Sequence, residues 1–312
     1  MSSSSTPTRA HAPLSAGLAS RLTPYWFLLP ALTVLGMCVF YPILQALFWS
    51  VMQFDPIADT TQWVGLKNFR KLFQDPVFWL AFRNTLLYLV CVVPLLASLP
   101  LGLAILVNQK LRGIQWFRVA YYTPVVISMV VAGFAWKWLY AGEGLFNQGL
   151  KAIGLNPVDW LTSPAIALFA VMAVTVWKGL GYYMVVYLAG LQAIPQDLYE
   201  AAAIDGSDGW RRHFDITVPL MQPYILLVAV ISAISATKVF EEVFIMTRGG
   251  PLNASKTLVY YSYEQAFESI TADGFSYGCT VGLAMFLIIL LLSLLRLGVQ
   301  QLTTDQSPSN PL

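Results

Sequence analysis

Six long apolar segments, separated by polar stretches, dominate the pattern of hydrophobic and polar positions along this chain. They run over Tyr25–Ser50, Asn84–Val107, Arg118–Leu139, Pro164–Leu191, Pro223–Met246 and Tyr277–Leu297. Each reaches the length of about 20 mostly apolar residues that a helix needs to cross a bilayer. Trp and Tyr cluster near the segment ends, as they do at membrane–water interfaces. The pattern predicts an all-α integral membrane protein with about six transmembrane helices.

Composition agrees with a protein whose solvent is lipid. Hydrophobic residues make up 57% of the 312 residues and charged residues only 11%, about half the charged share of a soluble domain. The net charge of +2 gives no electrostatic reason to expect a nucleic-acid partner. The predicted partner of most of the surface is therefore the lipid bilayer.

The polar stretches define the domain organisation. We expect a disordered cytoplasmic tail over residues 1–21, a transmembrane domain over 22–299 with a large loop at 192–222, and a cytoplasmic tail over 300–312. Six crossings place both termini on one side, but Lys and Arg over the whole chain do not decide which side. The short loop at 108–118, with three basic residues, favours cytoplasmic termini.

The loop at 192–222 reads as two short helices that meet at a sharp angle. Pro195 is suited to the first turn of a helix, and Gly206 can adopt the left-handed conformation that ends one. Ser207 or Asp208 could then cap a second short helix. The small alanines between Pro195 and Gly206 allow another surface to approach closely. The segment therefore has the predicted shape of a docking element on the cytoplasmic face.

This loop resembles the "EAA" loop of ABC importer permeases. The resemblance is carried by Glu200, Ala201, Ala202, Asp205, Gly206 and Pro219. It departs from the family pattern at Ser207, where alanine is commoner, and at Val218, where leucine is commoner. The resemblance implies a type I ABC importer permease whose coupling-helix loop sits in a groove of an ATPase subunit. The six residues are then the ATPase-coupling residues.

A second stretch, from Phe240 to Pro251, resembles the sugar-uptake branch of these permeases. It reads Phe-Glu-Glu-Val-Phe-Ile-Met-Thr-Arg-Gly-Gly-Pro and is similar to the maltose-type subunit that holds the sugar. The resemblance implies an inner-membrane, multi-pass subunit that carries a sugar or sugar-like solute into the cytoplasm by alternating access. It also implies a second permease subunit in a heterodimer, two ATPase subunits and an extracytoplasmic solute-binding protein.

Charged and polar groups inside the apolar segments are candidates for a solute cavity, because a charge that faces lipid is costly. In the fourth segment, helical spacing places four of them on one face: Thr175, Lys178, Gly179 and Tyr182. The resemblance implies that this stretch lines the sugar cavity together with residues of the fifth segment, namely Ser232, Ser235, Lys238, Glu241 and Glu242. Lys238 could pair with either glutamate on one helix face. The alternative is that these faces pack helix on helix.

Missing motifs narrow the function further. The chain has no phosphate-binding Gly-x-x-x-x-Gly-Lys-Ser/Thr loop, so we expect no enzyme activity and no cofactor here, with ATP and Mg bound by separate ATPase subunits. An ion-coupled secondary transporter remains the alternative, because lysines and glutamates lie in the apolar segments. A membrane enzyme is disfavoured, since the sequence places no histidine or aspartate in mid-segment.

Overall fold

The computed structural model describes residues 15–55, 59–109, 112–269, 271 and 273–305, which form helices and one two-stranded sheet. The first crossing is α1 (Ser15–Leu35), a π-helical turn and α2 (Tyr41–Ser50). The side chains of residues 25–48 are largely exposed, and α2 packs against the last helix. A hairpin follows, in which β1 (Met52–Asp55) pairs antiparallel with β2 (Thr60–Trp63). The sequence pattern did not predict this hairpin.

The segment after the hairpin forms a short helix, α3 (Lys67–Gln74). Asn68 is buried, and its side-chain amide donates to the carbonyls of Ser50 and Met52 at 2.9 Å each. The helix is therefore fastened to the end of the first crossing. The long helix α4 (Pro76–Val107) begins immediately afterwards.

The third predicted span is not one straight helix. The segment forms α5 (Ile114–Val126) and α6 (Met129–Leu139), which meet at 101°. Ile127 and Ser128 between them have extended backbone angles. The prediction of a continuous helix over Arg118–Leu139 was therefore wrong, because hydrophobicity alone does not report a break of two residues.

The chain then passes through α7 (Leu145–Ala152), the long helix α8 (Ala167–Gln192) and α9 (Gln196–Ile204). A π-helical turn, His213–Thr217, leads into α10 (Val218–Leu220). The remaining helices are α11 (Gln222–Thr237), α12 (Glu241–Met246), α13 (Leu258–Tyr263) and α14 (Gly274–Asp305), with a further π-helical turn at Glu264–Glu268. The predicted fifth span, Pro223–Met246, is thus divided between α11 and α12.

By length and apolar composition, the described residues contain three straight helices that could cross a membrane. These are Tyr25–Ser50, Pro76–Val107 and Ala167–Gln192. Two bent pairs pass the same test together: α5 with α6, and His213–Leu220 with α11, the latter bent by 59°. The sixth predicted span corresponds to α14, whose described apolar part is Gly274–Leu290.

The predicted tails lie only partly within the described residues. Residues 1–14 and 306–312 lie outside the described residues, whereas residues 15–21 belong to α1 and residues 300–305 to α14. The helices extend beyond the apolar segments, because backbone hydrogen bonding can continue through residues that are no longer hydrophobic.

The core is built where α8 packs against α4, α5 and α11. Its largest fully buried side chains include Tyr88 and Tyr187, and the Tyr187 hydroxyl donates to the carbonyl of Ala97 at 2.8 Å. A Cβ at Gly181 would overlap the carbonyl oxygen of Tyr121. This glycine therefore allows the backbones of α8 and α5 to touch, as small residues do between membrane helices.

Candidate solute cavity and coupling loop

The loop predicted to dock a partner begins with α9, and Gly206 ends that helix. Gly206 has φ +81°, its N–H donates to the carbonyl of Ala203 at 3.2 Å, and the N–H of Ser207 donates to Ala202 at 2.8 Å. These two bonds form a Schellman motif, which needs a left-handed residue at this position. The predicted helix end at Gly206 is confirmed.

The second half of the loop differs from the prediction. Among the described hydrogen bonds, neither Ser207 nor Asp208 caps a helix: Ser207 donates to the carboxylate of Asp215 at 2.6 Å, and Asp208 accepts from the adjacent Gly209. The Tyr199 hydroxyl lies 3.1 Å from that of Thr217 and ties α9 to the π-helical turn. The two halves form one braced unit.

The surface of this unit is open to solvent in the isolated subunit. Of the predicted coupling residues, Ala202 is buried, and the others are exposed: Glu200, Ala201, Asp205, Gly206 and Pro219. Sequence reasoning missed three apolar side chains beside them, Ile204, Trp210 and Phe214, which are 87%, 69% and 70% exposed. Their signal was the presence of large apolar residues in an otherwise polar loop.

Exposed apolar residues that cluster on a polar loop mark an interaction surface. Trp in particular is common among the residues that contribute most to binding. The exposed side chains of the loop thus supply what a protein partner needs: apolar anchors, carboxylates such as Glu200 and Asp205, and a turn shaped by Gly206.

A separate cavity of about 320 Å³ lies between α8, α11 and α12. Seven of the nine predicted cavity residues line it: Thr175, Lys178, Gly179, Tyr182, Ser232, Ser235 and Glu242. Tyr182 is 44% exposed and stands edge-on to Tyr183, with ring centroids 5.1 Å apart. The helical face predicted from residue spacing is therefore a wall of one cavity.

A hydrogen-bond chain leads from the core into this cavity. The buried Tyr88 hydroxyl lies 2.5 Å from that of Thr175, which donates to Oε1 of Glu242 at 3.2 Å. Since the Thr175 proton points to the carboxylate, Tyr88 is the donor to Thr175. This chain fixes the rotamer of Glu242 at the cavity wall. The role of Tyr88 was not predicted, because a tyrosine in an apolar run gives no sign of its partner.

Lys178 lines the cavity but does not offer its ammonium to it. Its Nζ donates to the carbonyls of Pro124 at 3.1 Å, Val125 at 3.4 Å and Ile127. These carbonyls end α5 at the 101° break, where the helix leaves acceptors without partners. The donors of Lys178 therefore hold the end of the broken helix.

Lys238 and Glu241 do not line the cavity, contrary to the sequence prediction. Both are exposed, and neither forms an ion pair within the part of the chain that is described. The helix ends at Thr237 and restarts at Glu241, so Lys238 does not share a helix face with Glu241 or Glu242. The predicted pairing fails because it assumed one unbroken helix.

The segment Thr247–Pro251, which ends the stretch that resembles sugar-uptake permeases, forms a turn held by hydrogen bonds beside the cavity helices. The Ser255 hydroxyl lies 2.8 Å from that of Thr247 and 2.5 Å from the Gly250 carbonyl. Gly249 has φ +76°, and a Cβ there would approach the Tyr260 ring to 2.9 Å. The motif thus fixes the connection between α12 and α13.

Comparisons with known proteins show which family has this sequence. The family model of the binding-protein-dependent transport system inner membrane component matches residues 18–304. The lactose transport system permease protein LacF of Rhizobium radiobacter is 35% identical over 275 residues, which cover 86% of this chain and 91% of LacF. The trehalose/maltose transport system permease protein MalF of Thermococcus litoralis is 30% identical over 282 residues, covering 90% and 94%.

A solved structure shares the fold. The chain aligns with a chain of a bacterial ABC transporter involved in the import of the acidic polysaccharide alginate, with a TM-score of 0.80, 22% identity, and coverage of 95% of this chain and 99% of that one. The structural comparison agrees with the all-helical membrane fold described above. The chain therefore belongs to the family of binding-protein-dependent transport system inner membrane components, the non-catalytic, cofactor-free permeases of ABC importers.

Proposed function

We propose that this permease moves a sugar or sugar-like solute, such as an oligosaccharide, a glycoside or a polyol derivative, into the cytoplasm by alternating access. It works as one half of a permease heterodimer, with two ATPase subunits and an extracytoplasmic solute-binding protein. Both termini face the cytoplasm. Relatives whose names specify lactose, trehalose/maltose and arabinooligosaccharides support the solute class.

The cavity between α8, α11 and α12 carries this proposal. It combines an exposed tyrosine ring, which can stack on a sugar, with hydroxyl and carboxylate groups that suit sugar hydroxyls, at Tyr182, Ser235 and Glu242. Hydrogen-bonding groups placed on an otherwise apolar wall are typical of small-molecule sites.

The coupling loop transmits the movement of the ATPase subunits to the cavity. Closure of the ATPase subunits pushes on Glu200 and the apolar side chains around it, and the braced unit of α9 and the π-helical turn passes that movement to α11. Since α11 forms one wall of the cavity, movement of the loop changes the side to which the cavity opens. The bent pairs α5–α6 and His213–Leu220 with α11 are the places where such rearrangement concentrates.

The test of the cavity is Tyr182→Ala in the assembled transporter, reconstituted into proteoliposomes with its binding protein. Loss of the stacking ring reduces ATP-driven sugar uptake by about tenfold, the scale of one good aromatic contact, and subunit assembly is unchanged. Phe169→Ala is the matched control, because Phe169 lies on the same helix, is exposed, and is not part of the cavity wall.

Two results would contradict the cavity assignment. Uptake at the native rate by the Tyr182→Ala transporter would mean that the tyrosine ring does not take part in solute binding. Loss of assembly with Tyr182→Ala, while Phe169→Ala assembles normally, means that this face packs helix on helix instead.

A further inference from the structure

We propose that this cavity selects neutral polyhydroxylated solutes against anionic ones, and that Glu242 is the selecting side chain. The inference rests on the proposed function, because it names the charge class of the solute that the same cavity takes. It does not follow from family membership, since relatives include permeases named for sn-glycerol-3-phosphate and for sulfoquinovosyl glycerol.

The first step concerns the only cation on the described cavity wall. An ammonium has three donors, and those of Lys178 go to the carbonyls of Pro124, Val125 and Ile127. Releasing them to bind an anion would leave these carbonyls unpaired at the end of a broken helix, which is costly away from water. Lys178 therefore has no free donor for a phosphate, sulfonate or carboxylate.

The second step concerns the carboxylate on the same wall. Glu242 accepts from the Thr175 hydroxyl at 3.2 Å, whereas a carboxylate has about four lone-pair sites. The remaining acceptor capacity suits hydroxyl donors of a sugar. An anionic solute brings no donor to this position and places a like charge near the carboxylate.

The remaining polar groups of the wall do not reverse this preference. They are hydroxyls, and the buried Ser232 already donates to the carbonyl of Ala229 at 3.1 Å. Lys238 and Glu241 are exposed and do not line the cavity, and their charges are opposite, so they add no net charge beside it. Of the charged groups on the described wall, Glu242 alone keeps free hydrogen-bonding capacity.

The experiment measures equilibrium binding of matched solutes to the purified assembled transporter in detergent, without the binding protein, whose own selectivity would mask the cavity. The probes are glucose disaccharides, each paired with the analogue in which one hydroxymethyl group is oxidised to a carboxylate. We expect the acids to bind at least about tenfold more weakly than their neutral partners, the scale of one like-charge contact.

Glu242→Gln keeps the shape of the side chain and removes its charge. In this variant, the affinities for a neutral disaccharide and for its acid should differ by no more than a few-fold. Glu241→Gln is the matched control, because it removes the adjacent charge outside the cavity and leaves the ratio unchanged. The ratio in the native protein can be read even if Glu242→Gln fails to assemble.

Equal or tighter binding of the acids overturns the charge selection, and so does an unchanged ratio in assembled Glu242→Gln. In either case, the proposed function still holds if Tyr182→Ala weakens disaccharide binding. If no disaccharide binds the native transporter, the cavity assignment itself fails, and the charge selection fails with it.

Discussion

Asp75 joins three helices through one carboxylate. It accepts from the N–H of Val77 at 2.8 Å as the cap of α4, and its Oδ2 accepts from the hydroxyls of Tyr261 on α13 and, at 2.6 Å, of Tyr277 on α14. Burial acts to raise the pKa of Asp75, but these hydrogen bonds outweigh it and hold the pKa below its ordinary 3.8. A single residue therefore fixes one end of the helix assembly.

Asp75→Asn should lower the free energy of unfolding by about 1–3 kcal/mol, the cost of breaking a charge-assisted network. A carboxylate whose pKa is lowered on folding stabilises the protein above its unfolded pKa, and that contribution is lost as the pH falls through the folded value. The advantage of the native protein over Asp75→Asn is thus constant from pH 7 to about pH 5 and shrinks below 3.8.

Thermal unfolding in detergent across this pH range measures the effect. Asp159→Asn serves as the control, because Asp159 is exposed and its side chain has no hydrogen-bond partner among the described residues. A difference between native and Asp75→Asn protein that persists undiminished at pH 3 would show that the network does not depend on the ionised carboxylate.

Gly181 gives a second prediction at the residue scale. A Cβ there overlaps the carbonyl of Tyr121, whereas a Cβ at Gly102, near the C-terminal end of α4, meets nothing within 4 Å. Gly181→Ala should therefore destabilise the protein by about 1–3 kcal/mol, as overpacking does. Gly102→Ala should be neutral or stabilising by about 1 kcal/mol, because alanine is the better helix former. Equal melting temperatures of the two variants would mean that α8 and α5 do not touch.

At the scale of elements, the break between α5 and α6 determines the shape of the cavity wall. Two extended residues, Ile127 and Ser128, turn the chain by 101°, and Lys178 from α8 supplies the donors that the end of α5 lacks. A positive charge at the C-terminal end of a helix also interacts favourably with its dipole. One lysine thus connects the broken span to the helix that carries most of the cavity.

Lys178→Met keeps most of the side-chain volume and removes the donors. It should lower the free energy of unfolding by about 2–3 kcal/mol, as loss of hydrogen bonds to a charged group does, and the melting temperature in detergent measures it. Lys137→Met is the control, since Lys137 is exposed on α6 and has no hydrogen-bond or ion-pair partner in the described part of the chain. Similar small shifts in both variants would contradict the capping role of Lys178.

Element positions could be predicted from the sequence because hydrophobic periodicity reports burial in lipid. The helix end at Ser50 agrees with the structure for this reason. The turn at Gly206 agrees because glycine readily adopts the left-handed conformation that ends a helix. The breaks at Ile127 and after Thr237 could not be predicted in this way. At the first, the donors come from Lys178, far along the chain. The cavity face was predictable from helical spacing, whereas Lys238 was misplaced because it lies in such a break.

At the scale of the whole molecule, the expected topology places the loop at 192–222 in the cytoplasm and the loop that contains Glu143 outside. Single cysteines at Asp208 and Glu143 test this in a background in which Cys38, Cys91 and Cys279 are replaced. Asp208→Cys should react with a membrane-impermeant maleimide only after the cells are permeabilised, and Glu143→Cys in intact spheroplasts. The reverse pattern would invert the orientation.

We propose that this chain transmits ATPase closure to a solute cavity through its loop at 192–222. The most direct measurement is co-purification with the ATPase subunits, together with ATP-driven uptake, for Glu200→Arg. Reversing this exposed charge should reduce both by about tenfold or more, as at the centre of an interface. Glu143→Arg should change neither, because Glu143 is an exposed carboxylate that pairs, within the described residues, with Lys151 at 2.9 Å. Native co-purification and native uptake for Glu200→Arg would contradict the account.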